Sequence, residues 1–213
     1  MTKQERAART RHALVRAAAE TFERCGYVQA KLADISAGAG VSQGALHFHF
    51  ESKAALAATV ESSAGVSLRR EAWVSQRAGM NALQRLTNTT HALASKLRLD
   101  VVARAGYKLS LEAPHGPGPT LPQEWQICVR QLMEESAQEG LLVKGADPAE
   151  VADTVVAATT GFELLGRESP DSFSDTALTA FWRLILPCVA HPAALAVLEP
   201  GGAQVRTLKA PVA

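Results

Sequence analysis

The stretch LADISAGAGVSQGALHFHFESK, residues 32–53, decides the fold of this chain. Leu32 and Ile35 fall on one side of a short helix, and Gly40 ends it. Ser42 is a good N-cap for the next helix, SQGALHFH, which is only two turns long. Two short helices joined by a tight turn that contains glycine are typical of a helix-turn-helix.

A longer helix precedes this pair. Within residues 7–25, Leu14, Ala18 and Phe22 are spaced four apart and form one stripe of an amphipathic helix. Gly26 follows and can serve as the C-terminal stop of this helix. The sequence therefore predicts three helices at the N-terminal end of the chain.

The same end of the chain is basic. Residues 1–53 hold eight lysines and arginines against five acidic residues, a net charge of +3, so the remainder carries −2 and the whole chain +1. A basic end on a near-neutral chain indicates a polyanionic partner, although a solvated helix face can show the same balance. We therefore predict a DNA-binding domain over residues 1–53, with double-stranded DNA as its partner.

The second helix of a helix-turn-helix lies in the major groove, and its first turns reach base edges. Gln43 can bond to adenine, His47 can donate to a guanine acceptor or a phosphate, and Gly44 allows close backbone approach. Leu46 should face inward, and Lys53 can reach a phosphate. The full set of candidate DNA contacts is Arg6, Arg9, Thr10, Lys31, Ser42, Gln43, Gly44, His47, Phe48, His49 and Lys53.

Neither a metal site nor an active site is predicted. His47 and His49 are two residues apart, and such positions do not face each other on a helix, so they are a poor metal pair. The sequence contains no nucleophile elbow, phosphate-binding loop, dinucleotide fingerprint or His-Glu metal motif. We therefore assign no catalytic residues and no cofactor, and we expect the protein not to be an enzyme.

The composition favours an all-α fold. Hydrophobic residues make up 47% of the chain but aromatic residues only 5%, so the core must be built mainly of Ala, Leu and Val. After the helix-turn-helix, helical patterns occur near residues 53–78, 83–97, 101–111, 120–140, 148–166 and 174–190. The predicted organisation is a three-helix DNA-binding domain over 1–53, a larger helical domain over 54–198, and a disordered Pro/Gly-rich tail over 199–213.

Cysteine usage and hydropathy indicate a cytoplasmic protein. Cys25, Cys128 and Cys188 are far apart and odd in number, so we interpret them as reduced, buried small hydrophobic residues. No apolar signal region begins the chain, and no apolar stretch is long enough to span a bilayer.

Residues 10–53 resemble the N-terminal domain of the TetR family of repressors. The residues that carry the resemblance are Thr10, Arg11, Ala18, Phe22, Gly26, Tyr27, Leu32, Ile35, Ala39, Gly40, Val41, Ser42, Gly44, Ala45, Leu46, Phe48, Phe50 and Lys53. The string GALHFHF is similar to the subgroup that senses γ-butyrolactone and butenolide signals in actinomycetes. That subgroup usually has a Lys and a Tyr where this chain has Gln43 and His47.

The resemblance implies a homodimeric repressor that leaves its operator when a small-molecule effector enters the C-terminal domain. Helices 148–166 and 174–190 resemble those that form a four-helix dimer interface, with Phe181 and Trp182 as candidates for interface or core. Trp125 in PTLPQEWQ matches a pocket tryptophan of the subgroup, and Thr160 in ATTGFEL matches a pocket hydroxyl. The predicted ligand-binding residues are Trp125, Thr160, Leu86, Leu109, Val129 and Val156.

Other functions stay open at this point. Without the resemblance, Trp125 is better interpreted as a core residue. A DNA-binding protein that needs no ligand fits the helix-turn-helix equally well. A pseudo-receptor that binds an antibiotic or a biosynthetic intermediate also fits, and the residues at positions 43 and 47 favour it slightly.

Overall fold

A computed structural model describes residues 2–76, 79–112 and 118–203 of the chain. These residues form the helices α1 (Lys3–Gln29), α2 (Leu32–Gly38), α3 (Gln43–His49), α4 (Lys53–Ser75), α5 (Ala82–Leu99), α6 (Val101–Glu112), α7 (Leu121–Gln138), α8 (Pro148–Gly166), α9 (Asp175–Val189) and α10 (Pro192–Leu195). A 3₁₀ turn spans Pro170–Phe173. Within these ranges β pairing is limited to one isolated bridge, between Leu142 and Ala190. The predicted all-α fold is confirmed.

Helix α1 begins earlier than its apolar stripe suggests. Thr2 and Glu5 form a reciprocal capping box, in which the Glu5 amide donates to Thr2 Oγ1 at 3.2 Å and the Thr2 amide donates to Glu5 Oε2 at 2.7 Å. At Gly26 the backbone leaves the helix with φ +74°, a left-handed conformation that glycine adopts without strain. The predicted stop at Gly26 is thus confirmed, and a last short turn runs on to Gln29.

The helix-turn-helix forms where the sequence predicts it. Gly40 has φ +67° and turns the chain between α2 and α3. Ser42 caps α3, since its Oγ accepts a hydrogen bond from the Ala45 amide at 3.2 Å. Ser52 caps α4 in the same way, through the Ala55 amide at 3.1 Å.

The chain divides into two compact units. The first unit comprises residues 1–70 and 96–125, and the second comprises residues 71–95 and 126–213. Buried side chains of α1, α2, α3, α4 and α6 share one core in the first unit, which includes Leu14, Phe22, Ile35, Leu46, Leu56, Val60, Ala105 and Leu109. The first unit is therefore larger than the predicted domain of residues 1–53, because α6 and most of α4 complete its core.

Close packing of α6 on α4 depends on Gly106. A Cβ atom at this position would clash with the Cβ of Ala64 and would lie 3.0 Å from the carbonyl oxygen of Val60. Both neighbours are buried helix atoms with little room to shift. Glycine at position 106 thus lets the two helix backbones approach each other.

We expect the substitution Gly106→Ala to lower the free energy of unfolding by about 1–3 kcal/mol, because the added methyl group overpacks this contact. Gly38→Ala is the matched control, since an added Cβ at the end of α2 would lie 3.6 Å from the Cβ of Ala17, an ordinary van der Waals contact. The control variant should be more stable by about 0.5–1 kcal/mol, the usual gain for Gly to Ala in a helix. Urea unfolding followed by circular dichroism measures both changes, and equal stability of the two variants would contradict this packing.

In the second unit, the predicted helix starts are confirmed. Asp147 Oδ1 accepts a hydrogen bond from the Ala149 amide at 2.8 Å, and Pro148 occupies the first turn of α8.

Trp182 of α9 is 1% exposed and belongs to the core. Phe181 is half-buried, with its ring centroid 5.7 Å from that of Phe162.

The prediction that the tail is disordered from residue 199 is wrong for residues 199–203. Gln84 of α5 exchanges two hydrogen bonds with the backbone of Glu199, at 2.8 and 3.2 Å. The Ala203 amide donates to Asn88 Oδ1 at 2.8 Å. Side chains of α5 thus satisfy the backbone of a segment that forms no regular element. Residues 204–213 of the predicted tail lie outside the described residues.

The prediction that all three cysteines are buried is also wrong. Cys25 and Cys188 are exposed and Cys128 is half-buried, and all three are free thiols. Burial raises the pKa of the Cys128 thiol, and the negative charge of Glu135 raises it further. Whether neighbouring helices cover a thiol depends on the tertiary packing, which the positions of the cysteines in the sequence do not report.

Thiol labelling should separate Cys25 from Cys128. The thiolate is the reactive form, so a raised pKa and partial burial both slow the reaction of Cys128. We expect Cys25 to react at least about tenfold faster than Cys128 with a maleimide at pH 7.5. Peptide mapping by mass spectrometry over a time course gives the two rates, and equal rates would contradict the assigned environments.

Candidate nucleic-acid interface

The outer face of α3 is a continuous polar and aromatic surface. Gln43, Gly44, His47 and Phe48 are exposed, and Phe48 is 81% exposed. The Phe48 ring stands edge-on to the ring of His49, with 5.2 Å between centroids. The Gln43 amide and the His47 imidazole can form hydrogen bonds to base edges, and the Phe48 ring can make an apolar contact with a thymine methyl group.

Two buried residues hold this face outward. Leu46 is fully buried in the first-unit core, as predicted, and Phe50 just after α3 is 4% exposed. The guanidinium of Arg11 on α1 lies 5.2 Å from the centroid of the Phe50 ring, a cation–π distance. No local pattern in the sequence predicts this role for Arg11, because the two residues in contact are 39 positions apart.

Lys53 has a different role from the predicted one. Its Nζ donates at 2.9, 3.1 and 3.0 Å to three backbone carbonyl oxygens, those of Tyr27, Val28 and Ala30. It also lies 4.6 Å from the centroid of the Tyr27 ring. An ammonium group has three hydrogens, and all three are used. Lys53 therefore fastens the turn after α1 to the start of α4, and the prediction that it reaches a phosphate is corrected.

The other candidate DNA contacts lie at the surface of the first unit. Arg6 and Arg9 are exposed on α1 and precede the first buried residue of that helix. Because they are three residues apart, their side chains are neighbours on one face of the helix. Lys31 is exposed at the N-cap position of α2. Thr10 and His49 are half-buried. Ser42 is exposed, and its oxygen also caps α3.

The predicted ligand-binding residues are divided between the two units. Leu109 and Trp125 belong to the first unit, where Leu109 packs in the core beside α1 and Trp125 is half-buried. The remaining four belong to the second unit. Leu86 and Val129 are buried there, while Val156 and Thr160 are half-buried and one turn apart on α8. The pocket itself stays a prediction.

Among residues 2–76, 79–112 and 118–203, no three His, Cys, Asp or Glu side chains come together as a metal-binding group. Within the same ranges, every helix falls short of the length or apolar character needed to cross a lipid bilayer.

A short exposed helix, anchored by buried residues on a three-helix scaffold with a basic N-terminal end, defines a helix-turn-helix DNA-binding protein. The family model for bacterial regulatory proteins of the tetR family matches residues 14–60. The A-factor receptor protein of Streptomyces griseus is 34% identical over 206 residues, which cover 95% of this chain and 71% of that protein. The chain belongs to the TetR family, and the resemblance predicted from residues 10–53 is confirmed.

Solved structures similar to this chain extend the match over both units. A γ-butyrolactone receptor, described as an ArpA-like protein, has a TM-score of 0.78 and 28% identity, covering 90% of this chain and 93% of that one. CprB from Streptomyces coelicolor in complex with its operator sequence has a TM-score of 0.76 and 28% identity, with coverage of 90% and 93%. The regulator TylP from Streptomyces fradiae has a TM-score of 0.67 and 31% identity, with coverage of 91% and 92%.

Proposed function

We propose that this chain is a transcriptional repressor that binds operator DNA as a homodimer and releases it when a γ-butyrolactone or butenolide binds. The exposed face of α3 supports DNA binding, because the buried Leu46 and Phe50 anchor the helix with this face outward. Identity of 34% with the A-factor receptor protein along 95% of the chain supports the effector class. The protein would act in the cytoplasm, where its operator is, and it would catalyse no reaction.

The DNA contacts fall into two kinds. Gln43 and His47 would read adenine and guanine edges, and Phe48 would contact a thymine methyl group. Arg6, Arg9 and Lys31 would neutralise phosphates without reading the sequence. Since Lys53 is used by the fold, we do not include it among the phosphate contacts.

Apolar side chains in the second unit support a homodimer. Leu164 and Leu165 on α8 are 59% and 58% exposed, and Leu184 on α9 is 73% exposed. Large exposed apolar side chains on two helices mark a surface that a partner covers. A second copy of the chain would place two α3 helices one turn of DNA apart, so that the dimer reads a near-palindrome.

The effector would bind at the ligand-binding residues that the sequence predicts. On α8, Thr160 and Val156 lie one turn apart, so one face offers a hydroxyl for a ligand carbonyl next to an apolar wall. Leu86, Val129 and Trp125 would add apolar surface. Binding would shift α4, whose first residues follow α3 directly, and thereby change the spacing of the two DNA-binding heads. Such a coupling must be worth a few kcal/mol to release the operator.

A mobility-shift assay tests the proposal. Purified protein is mixed with the DNA upstream of its own gene and of the neighbouring genes, with and without A-factor and a butenolide. We expect a shifted band that the effector abolishes in a concentration-dependent way. A band that neither effector nor a solvent extract of the producing culture removes would favour the ligand-independent DNA-binding protein. Release by an antibiotic alone would favour the pseudo-receptor. No band at low salt would overturn the proposal, because phosphate contacts alone give weak binding there.

A further inference from the structure

One side chain of the first unit, that of Arg104 on α6, contacts two other helices. Its Nη1 donates to the carbonyl oxygens of Leu97 and Arg98, in the last turn of α5, at 2.8 Å each. Its Nε lies 3.3 Å from Glu23 Oε1 on α1. A guanidinium group is a planar, rigid fork, so these contacts together constrain where the last turn of α5 lies relative to α1.

The contact with α1 is specific. The side chains of Glu23 and Arg104 are only 30% and 33% exposed. The second carboxylate oxygen of Glu23 is buried and has no hydrogen-bond partner in the part of the chain that the structure describes. Separating the pair would leave a half-buried carboxylate without compensation, which is costly. The pair therefore resists any small shift between the two helices and would break as a unit.

The end of α5 and the start of α6 are joined rigidly to each other. Asp100 Oδ1 accepts hydrogen bonds from the amides of Val102 and Ala103, at 2.9 and 3.3 Å, and Asp100 Oδ2 lies 2.8 Å from Lys96 Nζ. Burial raises the pKa of Asp100, but the hydrogen bonds from Lys96 and the two amides lower it by more, so the carboxylate stays charged at neutral pH. A displacement of the last turn of α5 would thus be passed to the start of α6, which carries Arg104.

Helix α5 also joins the two units along the chain. It begins at Ala82 in the second unit and ends at Leu99 in the first, and it carries Leu86, one of the proposed effector-binding residues. Helix α1 supports α2 and α3 through the shared core of the first unit.

We propose that Arg104 is a positioning residue that links the last turn of α5 to Glu23 on α1, and so transmits effector binding to the DNA-binding helices. This inference rests on the proposed function, because it concerns the release of operator by the same effector.

Fluorescence anisotropy with labelled operator tests the link in the full-length protein. For each variant, the ratio of the operator Kd with saturating A-factor to the Kd without it measures the coupling. Glu23→Gln keeps the shape of the side chain and removes its charge. Arg104→Lys keeps the charge and removes the fork. The matched control is Glu20→Gln, which removes an exposed ion pair with Arg16 on the same helix, at 3.0 Å.

We expect Glu23→Gln and Arg104→Lys to reduce the coupling ratio about tenfold, within the usual range of allosteric couplings. Their operator Kd without effector should change by less than about threefold, since α3 and its anchors are untouched. Glu20→Gln should behave like the wild type. Circular dichroism and gel filtration confirm the fold of each variant, and the two conservative changes at opposite ends of the pair serve as independent tests.

Two results would overturn the inference while leaving the proposed function intact. One is a wild-type coupling ratio in both variants. The other is an operator Kd weakened equally with and without A-factor, which would make the pair merely structural. If the wild type binds operator but neither A-factor nor a butenolide releases it, the proposed function fails first, and the inference fails with it.

Discussion

Replacing Gln43 and His47 together by alanine is expected to weaken operator binding at least about a hundredfold, because each good base contact contributes about 1–3 kcal/mol and a dimer makes every contact twice. Both side chains are exposed on α3, and neither lies in the core that holds the helix. The fold should therefore be unchanged while the contacts to base edges are lost. Anisotropy titration of labelled operator, against an unrelated duplex of equal length, measures the effect.

The unrelated duplex is the internal control for this variant. Its affinity depends on phosphate contacts and on salt, and Arg6 and Arg9 are still present, so it should change little. Gln138→Ala is the control substitution, since Gln138 is an exposed residue at the end of α7 in the second unit. Wild-type affinity of the double variant for operator would show that α3 does not read the bases.

The substitution Lys53→Met is expected to lower the free energy of unfolding by about 3 kcal/mol or more. It keeps the length of the side chain but leaves three backbone carbonyl groups without their donor, and a hydrogen bond to a charged group contributes about 1.5–3 kcal/mol. The cation–π contact with Tyr27 is lost as well. Urea unfolding followed by circular dichroism measures the change.

This variant distinguishes the two roles considered for Lys53. If the lysine bound phosphate, its loss would leave stability unchanged and would reduce the salt dependence of DNA binding by about one unit of slope per site. Lys31→Met is the matched control, because Lys31 is an exposed candidate phosphate contact. We expect Lys31→Met to keep its stability and to reduce the salt dependence of DNA binding, and Lys53→Met to lose stability. The opposite result would contradict the hydrogen bonds of Lys53 to the three carbonyl groups.

The amino-acid sequence alone was sufficient to predict the helix-turn-helix and the starts of α3, α4, α8 and α9. Each start depends on a capping side chain and an amide at most three residues away, as for Ser42 with Ala45 and Asp147 with Ala149. The turn at Gly40 likewise needs only the conformational freedom of that residue. These interactions join residues that are at most three positions apart, so a local sequence pattern is enough to predict them.

Part of the candidate interface could be predicted for the same reason. On a two-turn helix, a buried Leu46 leaves Gln43, Gly44 and His47 on the outer face, and the structure confirms this. The family resemblance over residues 10–53 supplied the effector class.

Only the tertiary structure decided which partners the long-range polar side chains have. Lys53 binds carbonyl groups 23–26 residues away, Arg104 pairs with Glu23, and Gln84 binds the backbone of Glu199. A charged or amide side chain can form hydrogen bonds with water, with DNA or with a distant backbone group. Its chemistry alone does not determine which of these partners it has. The choice follows from which groups the packed helices bring within hydrogen-bonding distance, and that depends on the whole core, not on any one stretch of sequence.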